Sequence, residues 1–200
     1  MKTSAKRGAS TMTSCFEFTV TLRGIKPRIW RRFQLAGDAT FYDLHDAIQD
    51  SFGWDRSHMW DFRAPGRRGR LLAGVILDDD WGLEEVPDAD AVTLAEYFDA
   101  PPKPKGCEYV YDFGDHWAHS VRLTRRVESP EGFHRRLLAG RRSAPPDDCG
   151  GIYGYDRLVE LHRKGVDPED TDSDPRAGWI VSGWTPDAFD LDAVKRNFDH

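Results

Sequence analysis

Between Cys107 and Arg125 (CEYVYDFGDHWAHSVRLTR) apolar and polar residues alternate in two runs around a short polar turn, and this stretch constrains the fold more than any other. Cys107, Tyr109, Tyr111 and Phe113 share one phase of the first run; Trp117, His119, Val121 and Leu123 share one phase of the second. A period of two marks strands with one buried face, so the stretch predicts a β-hairpin. Its turn, residues 112–116, gathers Asp112, Asp115 and His116 around Gly114, a residue free to take positive φ. Such a turn can hold polar groups in fixed positions.

Further strands are predicted on either side. Phe16 to Leu22 alternates and stops at Gly24, Pro27 turns the chain, and Arg28 to Leu35 returns with Ile29, Arg31, Phe33 and Leu35 on one face. Arg31 conflicts with its apolar neighbours; it reads as snorkelling at a sheet edge or paired with a carboxylate. His58 to Arg63 and Leu71 to Leu77 read as a third and a fourth strand. Thr40 followed by Asp43 resembles a capping box, and Phe41, Leu44, Ile48 and Phe52 repeat at helical spacing up to Gly53, which predicts a helix over 41–52. His45 borders its apolar stripe as a packed residue. Thr93 caps a short helix over Leu94 to Phe98. Residues 78–90 read as an acidic loop around Trp81, and 135–151, broken by Pro145, Pro146 and glycines, as irregular backbone. Asp156 is expected to cap a helix running to Lys164, and Asp190 one through Phe198. Residues 1–14 read as a disordered leader and 15–200 as a single domain. The fold class is α+β: a mixed, mainly antiparallel sheet of about five or six strands with one long helix packed on a face and C-terminal helices.

Charge and motif content exclude several functions. The formal net charge is −6, which argues against a protein that coats nucleic acid, although residues 1–75 and 118–145 are net basic and alternate with acidic blocks. Cys15, Cys107 and Cys149 form no CxxC pair and no even framework, so reduced thiols and a cytoplasmic location are expected. No apolar run is long enough for a membrane span. Phosphate-cradling glycine loops and a GxSxG elbow are absent. Asp170, Asp172 and Asp174 start like a calcium loop, but Pro175 replaces its glycine and Val181 its final glutamate, leaving a solvated acidic loop. His116 and His119, three apart on a strand, would face opposite ways and cannot form a metal pair there.

Five blocks carry a family resemblance: GIKPRIWRRFQL at 24–35, DLHDAIQDSFGW with SHMWDF at 43–62, YVYDFGDHWAHSVRL at 109–123, PPDDCGGIYGYDRLVEL at 145–161 and FDLDAVKRNF at 189–198. Their order resembles the plasmid Ri open-reading-frame-three-like proteins of bacteria, archaea and mobile elements. The resemblance implies an α+β domain without an assigned activity, sometimes labelled resolvase-like. Many relatives carry further cysteines before CGG, which would suit a thiolate metal site in them; this chain has Leu137 and Ala144 there, which weakens a zinc reading and leaves Cys149 alone.

Together these readings predict a cytoplasmic binding or interaction module rather than an enzyme. Its candidate site is the 112–116 turn, with the cluster Trp30, His45, His58, Asp112, Asp115, His116 and Cys149. No metal and no cofactor are expected, and the partner is a protein or a small molecule. One competing reading is a nucleic-acid-associated protein of mobile elements, with Arg28, Arg31, Arg32 and the basic segment 135–142 on phosphate. The other is a hydrolase-like or metal-assisted enzyme using Asp112, Asp115 and His116.

Overall fold

A computed structural model describes residues 13–66, 69–75, 86–129, 132–165, 177–181 and 183–199. Residues 1–12 of the expected leader, most of the acidic loop around Trp81 and the Asp170–Asp174 segment lie outside them. Among the described residues seven strands form one sheet: β1 (Thr13–Leu22), β2 (Trp30–Ala36), β3 (Trp60–Arg63), β4 (Leu71–Val75), β5 (Gly106–Tyr111), β6 (Trp117–Ser129) and β7 (Arg135–Arg141). Their order is β4-β3-β5-β6-β1-β2-β7, and every pairing is antiparallel. The α+β class holds. The sheet has more strands than expected, and the parallel pairing that "mixed" implies is not found among the described strands.

Among the described residues five helices accompany the sheet: α1 (Phe41–Phe52), α2 (Leu94–Phe98), α3 (Gly151–Lys164), α4 (Ala177–Val181) and α5 (Leu191–Phe198). Two of them, α1 with 12 residues and α3 with 14, are of similar length. The caps follow the sequence. The amide of Asp43 donates to Thr40 Oγ1 at 3.2 Å while Thr40 N donates back to Asp43 Oδ2 at 2.7 Å, and Thr93 and Glu96 repeat the arrangement on α2. Each reciprocal pair satisfies two amides that a helix start leaves without partners. Gly53 ends α1 in the left-handed conformation, as expected. α3 begins earlier than Asp156 suggests: left-handed Gly150 starts it, and Asp156 falls in its second turn. No helix among the described residues is long and apolar enough to cross a membrane.

One face of the sheet is dry. Phe16 and Phe18 of β1 meet Phe98 of α2 at ring-centroid distances of 6.2 and 5.2 Å, Phe33 of β2 meets Phe198 of α5 at 5.5 Å, and Phe62 of β3 meets Phe41 of α1 at 5.2 Å. Each fully buried aromatic of this kind contributes roughly 1.5–3 kcal/mol of transfer free energy. The opposite face carries Thr19, Thr21, Arg32, Ser120 and Arg122 and stays accessible, the usual division in an antiparallel sheet.

Strand β7 replaces the irregular backbone expected from 135, and the reason is chemical. Its inward residue Arg135 is charged, which hides the alternation. Arg135 is buried because it pairs with Asp50 of α1, donates from Nε to Phe198 O at 2.8 Å and lies over the Phe198 ring. Arg31 does not snorkel, and among the described residues it meets no carboxylate. It is 2% exposed, donates to the carbonyls of Ser51, Trp30 and Arg141, and is flanked by the rings of Phe52 and Phe189. Carbonyl dipoles and ring faces thus take the place of a counter-ion. Arg142 is buried as well and pairs with Asp187 at 2.6 Å. Arg31, Arg135 and Arg142 are therefore unavailable to phosphate.

Two histidines sit in the core. His45 is stacked on Trp60 at 4.0 Å, and its Nδ1 lies 2.8 Å from the Tyr109 hydroxyl, which also accepts from Gln49 Nε2 at 3.0 Å. His119 packs edge-on against Phe52 and Trp54. Burial pushes both imidazoles down to about 3. Each is neutral when folded and gains a proton when unfolded below about pH 6.5, so the stability it confers is present above that pH and is lost as pH falls toward 3. We expect the urea midpoint to drop from pH 7 to pH 5, each histidine contributing up to roughly 1.4 kcal/mol per pH unit below 6.5. In His119→Leu that slope should shrink markedly; an unchanged slope would contradict the assignment.

Candidate functional site

The predicted hairpin is β5 and β6, and its turn is 112–116. Gly114 does not supply the left-handed residue; Asp112 (φ 54) and His116 (φ 57) do. The carboxylate of Asp112 offsets the cost. Its Oδ1 accepts from Gly114 N at 2.9 Å and Asp115 N at 3.3 Å, while His116 N returns to Asp112 O at 2.6 Å. Aspartate tolerates this region because its short side chain can satisfy the local amides. One face of Asp112 is thus committed to the turn, and the other oxygen, Oδ2, points away from it.

A second loop docks on this turn. Gly150 N donates to Asp115 Oδ2 at 3.0 Å, and Gly151, with φ 65, lies so close that a Cβ there would be 2.8 Å from Asp115 O. The CGG sequence is therefore a steric requirement: one glycine approaches the turn backbone and both take positive φ. The same loop is fastened on its other side. Asp55 N donates to Asp147 Oδ2 at 3.0 Å, and Trp54 Nε1 donates to Pro145 O at 2.9 Å.

These fastenings bring three sequence blocks to one point. His58 Nε2 lies 3.1 Å from Asp148 Oδ1 and 3.9 Å from Asp112 Oδ2, and one ligand atom from each of the three residues falls within 4.8 Å of the others. Their side chains grade from 9% exposed at Asp112 through 28% at His58 to 72% at Asp148. Asp148 is itself left-handed, at φ 55. Beside them, burial pushes the Asp147 carboxyl up to about 6, and its buried Oδ1 has no hydrogen-bond partner among the described residues. A half-buried imidazole, two carboxylates facing it and a third that titrates near neutrality can hold a cation or exchange a proton.

The expected cluster is thus only partly assembled. His58 and Asp112 come together. Asp115 belongs to the loop contact rather than the polar centre, and His116 is exposed on the turn. Three residues belong elsewhere. His45 is in the core network, Cys149 is buried behind the loop, and Trp30 lies on the accessible face of the sheet because its neighbour Arg31 faces inward. Sequence reasoning missed Asp147 and Asp148, although both stand in the PPDDCGG block beside Cys149.

Comparison with known proteins gives consistent results. Residues 14–193 match the family described as plasmid pRiA4b ORF-3-like protein. A protein of Sinorhizobium fredii (strain NBRC 101917 / NGR234), named uncharacterized protein y4hQ, is 30% identical over 149 residues, 74% of this chain and 73% of its own. The crystal structure of a protein of unknown function, MM3350 from Methanosarcina mazei Go1, superposes with a TM-score of 0.74 at 30% identity, covering 92% of this chain and 98% of that one.

The loop contact can be tested apart from the polar centre. Gly151→Ala should destabilise the protein by about 1–3 kcal/mol through its positive φ and the close approach to Asp115 O. Asp148→Asn, at an exposed side chain, should stay within about 0.5 kcal/mol of the parent in urea unfolding.

Proposed function

The chain belongs to the plasmid pRiA4b ORF-3-like family, and from this membership and the convergence at the turn we propose that it is a single-domain binding module, residues 15–200, whose polar site takes a divalent cation through His58, Asp112 and Asp148. The observation that carries the reading is the meeting of these three side chains within 4.8 Å. Bonds of about 2.0–2.2 Å to a shared ion set neighbouring ligand atoms roughly 3–3.5 Å apart; His58 and Asp148 at 3.1 Å already meet this, and Asp112, 3.9 Å from His58, would have to close in by a few tenths of an ångström. One imidazole nitrogen with two carboxylate oxygens suits zinc, manganese or ferrous iron better than a soft thiophilic ion. With Asp112 anchored by two amides and Asp148 open to solvent, the ion would be held from the protein side and accessible to a ligand on the other. The expectation that no metal binds is the point on which this reading departs from the sequence alone.

A cytoplasmic setting is part of the proposal, supported by three buried cysteines that are all free thiols. A second reading, metal-assisted hydrolysis, draws on Asp147, whose carboxyl is pushed up to about 6 by burial and so could take a proton from a nearby water near neutral pH.

Thermal unfolding with added Zn2+, Mn2+ or Mg2+, together with calorimetric titration, tests the site. At least one of the first two ions should raise Tm and bind with a stoichiometry near one, and Asp148→Asn and His58→Ala should each weaken binding roughly tenfold or more. A shift that survives in the double variant would sink the assignment. If the ion binds and a hydrolase screen shows turnover abolished by Asp147→Asn, the second reading replaces the first.

A further inference from the structure

We propose that the accessible face of the sheet, on the side opposite the helices and apart from the turn site, binds single-stranded nucleic acid, with phosphates on Arg28, Arg32, Arg122 and Arg141 and a base on Trp30. The argument starts from strand alternation. Val20, Arg31, Phe33 and Val121 face the core, so Thr21, Trp30, Arg32, Ser120 and Arg122 face outward. Register then sets them in rows. Arg141, Trp30, Thr21 and Ser120 lie side by side across four strands, and Ala139, Arg32, Thr19 and Arg122 form the next row.

Charge on this face is settled pair by pair. The acidic residues that β1, β3 and β5 present here each have a partner: Glu17 has Arg125 at 2.9 Å, Asp61 has Arg63 at 2.7 Å, and Glu108 has Arg23 at 2.9 Å. Arg28, Arg32, Arg122 and Arg141 are exposed, and among the described residues none of the four has a carboxylate partner. Four cations are therefore left in excess. Three of them, Arg28, Arg32 and Arg141, surround Trp30 together with Thr19 and Thr21 in a cleft of about 460 Å³ that no acidic side chain among the described residues lines.

The chemistry of this surface fits a strand with bases free to stack. Guanidinium groups present several donors to phosphate oxygens, hydroxyls add neutral donors, and a half-buried indole held between cations offers a face to an aromatic base. The cations extend from β7 to β6 across three strand spacings, roughly 14 Å, which exceeds the reach of one phosphate and argues for a strand over a free nucleotide. Nothing on this face requires a groove of paired bases, and stacking on Trp30 needs an unpaired one.

The test is fluorescence anisotropy of the intact protein with a labelled oligo-dT of about 12 nucleotides, a duplex of equal length and thymidine monophosphate as competitor. Oligo-dT should bind at low salt, with a slope of log K against log salt near about −3, as expected for four single-strand phosphate contacts. Arg32→Glu with Arg141→Glu should lower affinity at least roughly tenfold, Trp30→Leu by a similar factor, and Arg163→Glu on α3 should change nothing. Circular dichroism would verify that each variant is folded, and the wild-type salt slope needs no variant at all. Absence of binding at low salt overturns the proposal. So does duplex binding as tight as single-strand binding, competition by the mononucleotide at equal affinity, or affinity unchanged in the charge-reversed variant.

Discussion

Burial of one face of the antiparallel sheet governs the rest of this molecule. Apart from Trp30, the aromatic side chains of β1, β2, β3, β5 and β6 fall in one phase and are covered by α1, α2 and α5. Because side-chain direction in a strand has a period of two, the choice of a dry face assigns every other residue to the wet one. It also forces solutions where a charged residue falls in the dry phase. Arg31 is met by three carbonyls and two rings, Arg135 by Asp50 and the end of α5. These arginines fasten α1, α5 and β7 to the sheet, and removing a partner would leave a buried charge uncompensated.

The turn of the β5–β6 hairpin lies where the dry face ends. Its carboxylates have divided duties: Asp115 and one oxygen of Asp112 hold backbone amides, and only the second oxygen of Asp112 faces His58. Structure and site are not alternatives here. The same bonds that brace the turn fix the direction of Asp112 and seat the loop that delivers Asp148. Left-handed backbone at Asp112, His116 and Asp148 marks where that bracing is concentrated, and such conformations persist only where neighbouring contacts hold them.

What could be read from sequence followed from how local the cause was. The hairpin, the 41–52 helix and the caps at Thr40, Thr93 and Asp190 depend on residues within a few positions of one another, and these elements match. β7 depends on Asp50, some eighty-five residues away, to make Arg135 an inward residue, so its alternation is invisible along the chain. Asp148 meets His58 only because Gly150 and Gly151 fit against Asp115; the block was visible, its destination was not. Residue type alone associates Trp30 and His45 with the turn, and the sheet separates them, one outward and one inward.

Net charge is a further case in which the average misleads. A chain of −6 is expected to repel a polyanion at long range. Within a Debye length of about 8–10 Å, however, what matters is the pairing of the nearest charges. On the open face Glu17, Asp61 and Glu108 are each neutralised by an arginine already in contact, so they do not offset Arg28, Arg32, Arg122 and Arg141. On the turn the reverse holds: His58 faces Asp112 and Asp148 with Asp147 beside it, and the local excess is negative. One sheet therefore separates a locally acidic corner from a locally basic face. That separation follows from strand register and loop seating, neither of which the composition contains.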